Sequence, residues 1–244
     1  MVRELLNKVT FPSSVEISKA DDLPHENCGV VGVYAPGEDV ARIAFFGLFA
    51  LQHRGQESAG ISVSDGETIR VNTSMGLVAQ AFRETDLERL TGHISIGHTR
   101  YSTAGSSNLC NAQPILVRGA YGELALGHNG NVVNAVHLKQ ELVELGCTFS
   151  ATTDSEVIAQ LLANAPGRDW AERIQYLMRR VQGAYSLVVL TKDSLMAIRD
   201  PLGVRPLCVG KINGGWIVAS ESCALDHLGA DLIREVKPGE AIII

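Results

Sequence analysis

From Cys28 onward the chain alternates short apolar segments of strand length with brief turns rich in glycine and proline, and few folds accommodate that pattern. CGVVGVYAP at 28–36 reads as a buried strand closed by Pro36, and further strands are predicted over 59–63, 67–73, 93–100, 114–118 and 123–128. Over 38–51, Val40, Ile43, Ala44, Gly47, Leu48 and Leu51 fall on one face of a helix. A second helix follows Asn134, with Ala135, Leu138, Leu142 and Leu145 together and Gly146 as its stop. Thr153, Asp154 and Ser155 offer capping chemistry to a third helix carrying Val157, Ile158, Leu161 and Leu162. A fourth, over 170–181, gathers Trp170, Ile174, Leu177, Met178 and Val181. Strands resume at 185–190, 195–199, 207–211, 216–220 and 240–244. Strands joined by short turns imply antiparallel sheets, and the amphipathic helices must cover their outer faces. The expected class is α+β, two stacked antiparallel sheets with helices on both sides.

Residues 1–27 follow no such period and hold Pro12, Ser13, Ser14 and Pro24, so they read as a leader ahead of one compact domain at 28–244. The 244 residues carry 21 basic and 27 acidic side chains without a basic run, which excludes an electrostatic footprint for nucleic acid. No apolar run reaches the roughly 18–20 residues of a membrane span. The leader lacks the apolar stretch of a secretory signal, so the expected location is cytoplasmic. The five cysteines, at 28, 110, 147, 208 and 223, form no CxxC pair and suggest no disulfide framework. No metal or nucleotide signature of the HExxH, Walker A or GxGxxG kind occurs, and no metal site is expected.

Cys28 is the residue with chemistry to offer. A free cysteine is ordinarily a small buried hydrophobe. Here Cys-Gly opens a strand directly after the irregular leader, so loss of residues 1–27 makes Cys28 the terminal residue. Its α-amine, with a pKa of about 8, can then take the proton from its own thiol. A pairing of Cys28 with His98 or His128, as in papain-like hydrolases, is the competing arrangement. A binding domain with an inert Cys28 is a third reading.

Six segments occur in an order that resembles the class II glutamine amidotransferases, a branch of the N-terminal nucleophile hydrolases. They are CGVVGV at 28–33, LQHRGQES at 51–58, GHTRYST at 97–103, AQP at 112–114, GHNGN at 127–131 and TDSE at 153–156. HRGQES, RYSTAGSS, NAQP and DPLGVRPL at 200–207 further resemble the branch whose second domain is a phosphoribosyltransferase, rather than branches such as glucosamine-6-phosphate synthase. The resemblance implies a four-layer αββα sandwich, the N-terminal nucleophile hydrolase fold. It implies glutamine as substrate, Cys28 as nucleophile, and Asn129 with Gly130 as the oxyanion hole. It also implies Arg100 on the substrate carboxylate with help from Thr103, and Asp154 on its ammonium group.

Arg54 either closes over the site or serves a structural ion pair, and Asp154 has a helix cap as its ordinary alternative. His98, two residues before Arg100, reads as a core histidine, and Arg199–Arg205 as a turn. No phosphate cradle for the second reaction is found in this sequence, so the phosphoribosyltransferase domain is expected to be absent from the chain. The resemblance ties Mg²⁺ with phosphoribosyl pyrophosphate, a [4Fe–4S] cluster in some members, and homo-oligomers to the complete enzymes. No cofactor is expected in this chain itself.

Overall fold

The computed structural model describes residues 28–101 and 108–244; the expected leader and Thr103 lie outside the described residues. The chain begins with β1 (Gly29–Tyr34), α1 (Val40–Ala50), β2 (Ser58–Ser64), β3 (Ile69–Met75), α2 (Val78–Ala81), α3 (Glu84–Glu88) and β4 (Ile94–Arg100). It continues through β5 (Ile115–Gly119), β6 (Gly122–Val132), α4 (Ala135–Glu144), α5 (Asp154–Ala163), α6 (Trp170–Arg180), β7 (Gly183–Leu190) and β8 (Leu195–Arg199). It ends with β9 (Cys208–Ile212), β10 (Gly215–Ala219), α7 (Ser222–His227), β11 (Asp231–Glu235) and β12 (Ala241–Ile243).

The strands form two antiparallel sheets, a seven-stranded one ordered β11-β9-β10-β1-β4-β2-β3 and a five-stranded one ordered β12-β8-β7-β6-β5. Three apolar layers hold them. Val31 and Val33 of β1 pack with Ala44 and Leu48 of α1, and α7 adds Ala224 and Leu225. Val30, on the other face of β1, joins Ala125, Val188 and Ala197 of the second sheet. Leu126, Leu187 and Ile198 meet Ile158 and Leu162 of α5 and Ile174 and Leu177 of α6 beyond it. The order of layers is therefore helix, sheet, sheet, helix, as expected. Because β1 is buried on both faces, its sequence reads as a continuous apolar run rather than an alternation. Full burial of a side chain such as Leu48 contributes about 1.5–3 kcal/mol.

Caps set two of the helices. Asp39 accepts from Arg42 N at 3.1 Å, so α1 begins at Val40 rather than at 38. Asp169 accepts from Glu172 N at 2.9 Å and starts α6. Thr153, Asp154 and Ser155 correct the capping expectation. Thr153 occupies the cap position of α5 without a side-chain capping bond, and the next two residues bond across to other elements.

The strand expected over 123–128 runs on to Val132, which places Asn129 and Gly130 inside β6 rather than in a loop. Helix α7 and strand β11 were not expected. All five residues of β11 are exposed, so no inside-outside alternation marks it in sequence. No helix among the described residues is long and apolar enough to cross a membrane.

Candidate active site

Cys28 sits one residue before β1, the fourth of seven strands. Alternation gives Cys28, Val30 and Gly32 the face turned to the second sheet, where a Cβ on Gly32 would stand 2.8 Å from Leu195. The half-buried thiol lies against Tyr101, whose N–H donates to Sγ at 3.4 Å and whose carbonyl accepts from it at 3.6 Å. Burial pushes the thiol pKa up. The hydrogen bond from Tyr101 and the charges of Arg100 and Arg54 oppose that rise.

On the facing sheet, β6 presents Ala125, Gly127 and Asn129 toward β1. A Cβ on Gly127 would stand 3.6 Å from Val30 Cγ1, and Asn129 and Cys28 each lie two residues beyond that contact. Asn129 is fully buried, yet neither atom of its side-chain amide has a hydrogen-bond partner among the described residues. Buried amides are normally paired, so this one is unspent. Gly130 has φ +156°, and a Cβ there would come within 2.0 Å of Ala184 O and 2.8 Å of His128 Nε2. Only glycine fits.

Arg100 ends β4, is 3% exposed, and forms an ion pair with Glu57 at the end of the neighbouring strand pairing. Asp154 opens α5 and turns its carboxylate to β6, where Oδ2 accepts from Val132 N at 2.8 Å and Oδ1 lies 3.8 Å from His128 Nδ1. It is no cap, and it shares a pocket with Cys28, Arg100, Tyr101, Gly130 and Thr153. That pocket measures about 20 Å³, room for about one water and far short of an amino acid. Arg54 makes the structural ion pair that is one of the readings offered for it. Its guanidinium is paired with Glu221, and its Nε donates to Cys28 O at 3.1 Å, which ties the backbone of Cys28 to the start of α7.

His98 is the core histidine expected. Its Nε2 donates to His128 O at 3.0 Å, and burial pushes its pKa down to about 3. His128 Nδ1 meets Ser155 Oγ at 3.1 Å, and burial lowers its pKa as well. Neither ring is a hydrogen-bond partner of the Cys28 thiol, so the papain-like pairing finds no support.

Sequence reasoning missed Glu57, Tyr101, Gln113 and Ser155. Gln113 accepts from His128 N at 2.8 Å and donates to Ser155 Oγ at 3.0 Å, which fastens β6 to α5 behind the pocket. Glu57 lies within the HRGQES segment, but nothing local marks it as the partner of a residue 43 positions on.

A thiol at the head of a central strand, sandwiched between two antiparallel sheets and faced by an unspent asparagine amide, defines the N-terminal nucleophile hydrolase class. The chain belongs, within it, to the glutamine amidotransferase domain family, whose family model matches residues 98–227. It is 49% identical over 229 residues to the amidophosphoribosyltransferase of Synechococcus elongatus, which takes in 91% of this chain and 46% of that protein. The amidophosphoribosyltransferase of Archaeoglobus fulgidus is 48% identical over 220 residues, 89% of this chain and 48% of its own length. Among solved structures, glutamine phosphoribosylpyrophosphate amidotransferase from B. subtilis, complexed with ADP and GMP, matches with a TM-score of 0.82 and 40% identity. That match covers 89% of this chain and 47% of the other. The chain thus spans about half the length of the relatives it matches.

Proposed function

We propose that this chain hydrolyses the side-chain amide of free glutamine at Cys28. The observation that carries the reading is the unspent amide of Asn129 on the face turned to the nucleophile. The thiolate attacks the amide carbon, and the negative charge that develops on oxygen is met by the Asn129 amide and the Gly130 N–H. One such fixed donor is worth about 3–4 kcal/mol in the transition state. Arg100 grips the substrate carboxylate through its planar guanidinium, and Asp154 accepts from the ammonium group with the oxygen not engaged by Val132. The family resemblance gives Thr103, outside the described residues, a supporting hydroxyl. Ammonia leaves, and water cleaves the thioester to glutamate.

The thiol proton passes to the α-amine of Cys28, which requires removal of residues 1–27. In the longer protein the ammonia displaces pyrophosphate from phosphoribosyl pyrophosphate, with Mg²⁺, at a phosphoribosyltransferase domain. The names of the relatives support that second step, and a solved structure described as the allosteric regulatory enzyme of purine biosynthesis, at TM-score 0.84 and 41% identity, supports its pathway.

The test gives glutamine and phosphoribosyl pyrophosphate to the purified chain and measures glutamate, ammonia and pyrophosphate separately, beside the intact mass. Glutamate from a species that begins at Cys28, with none from Cys28→Ala and no pyrophosphate from either, is the expected result. Full turnover by the unprocessed 244-residue species removes the amine from the mechanism. No glutamate above the Cys28→Ala control points to a binding domain, or to a site that is inactive without a partner domain.

A further inference from the structure

On the far side of Arg54 from the thiol, three ligand-bearing side chains converge. His53 Nε2, a carboxylate oxygen of Glu221 and Cys223 Sγ all lie within 4.8 Å of one another. Glu221 Oε2 is the middle member, 3.2 Å from His53 Nε2 and 3.6 Å from Cys223 Sγ. A tetrahedral zinc ion holds nitrogen and oxygen at about 2.0–2.1 Å and thiolate sulfur at about 2.3 Å. Those radii set the nitrogen–oxygen edge at about 3.4 Å and the oxygen–sulfur edge at about 3.6 Å. The two separations to Glu221 Oε2, which hydrogen bonds span in this structure, are close to those a bound ion imposes, and the nitrogen and sulfur lie within 4.8 Å of each other.

We propose that His53, Glu221 and Cys223 form a binding site for a divalent cation of the zinc type, distinct from the Cys28 pocket. One nitrogen, one oxygen and one sulfur suit a borderline-soft ion, whereas calcium and magnesium take oxygen ligands. The other oxygen of Glu221 is already held by Arg54, the kind of outer partner that orients a metal-binding carboxylate. His53 is exposed and the other two are half-buried, which leaves an entry path and a fourth position for water. Binding forms one metal–sulfur bond and releases the thiol proton of Cys223 to solvent.

The cluster is invisible in the sequence because His53 stands 168 positions from Glu221. It forms where the chain leaving α1 meets the start of α7. The site does not depend on the proposed reaction, so its test needs no substrate. Co²⁺ is titrated into the full 244-residue chain, and the thiolate-to-cobalt charge-transfer band is followed, with Zn²⁺ competing for it. One ion per chain is expected, with the band abolished in Cys223→Ser and intact in Cys28→Ala. His53→Ala, at an exposed position that threatens no core, should weaken binding at least about 10-fold. A band that survives Cys223→Ser, an affinity unchanged in His53→Ala, or a loss that follows Cys28→Ala instead would each overturn the assignment.

Discussion

Arg100 is paired with the partly buried Glu57, and in the proposed reaction it also grips the substrate carboxylate. Arg100→Lys replaces a two-point grip with a point charge and should weaken glutamine binding by about 2–3 kcal/mol. Lysine keeps a charge beside Glu57 but not the guanidinium geometry of that pair, so stability must be measured beside affinity. Glu57→Gln separates the two effects. It keeps an acceptor for Arg100, should lower stability in urea unfolding, and should leave the glutamine dependence within a few-fold of the parent. A KM shift in Glu57→Gln as large as that in Arg100→Lys would mean that neither residue meets the substrate directly.

His98 supplies a pH dependence. Its pKa is pushed down from 6.5 to about 3, so above pH 6.5 the folded and unfolded chains are both neutral there and stability is full. As pH falls below 6.5 the unfolded chain takes up a proton that the folded chain refuses, and stability drains until about pH 3. His128 acts in the same direction. Between those limits, unfolding free energy should fall with pH more steeply in the parent than in His98→Gln, by up to about 1.4 kcal/mol per pH unit. Parallel curves from denaturant titrations would show that His98 titrates normally.

Among the elements, α5 is held by its first turn rather than by a cap, because Asp154 and Ser155 reach into β6 and toward Gln113. Gln113→Ala strands the buried His128 N–H and should cost about 1–3 kcal/mol, seen as a lowered midpoint in a thermal melt. An unchanged midpoint would mean that water replaces the lost amide. Helices α1 and α6 are legible because their apolar residues recur at helical spacing, while the aspartates that cap them emerge only in the structure. The same residue types at 153–155 suggested a cap and were wrong about it, since capping and cross-linking side chains look alike until the neighbouring strand is known. Helix α7 spans six residues, too few for a period to declare itself, and so the cluster at its start went unread. The order of motifs exposed Cys28, Asn129, Gly130, Arg100 and Asp154. It could not expose Glu57, Tyr101 or Gln113, whose parts depend on strand register and through-space packing.

At the scale of the molecule, β1 receives ladder bonds from β4 on one side and β10 on the other, and packs against an apolar layer on each face. The amides of Val31, Gly32 and Val33 should therefore exchange with deuterium only through global unfolding, with protection that tracks the denaturant midpoint. Faster exchange there than in β11, an exposed edge strand of the same sheet, would contradict the packing described. The position of this strand also bears on entropy. Chain ends ordinarily fray, and a reacting atom on a terminal residue would wander through many orientations for each productive one. Set one residue before the middle strand of seven, the thiol is immobilised by pairings that begin at Gly29. Cutting the bond ahead of it breaks none of them. On the reading proposed for Cys28, such a cut turns the loosest point of a polypeptide into one of its stiffest, since the neighbouring Gly29 is already paired.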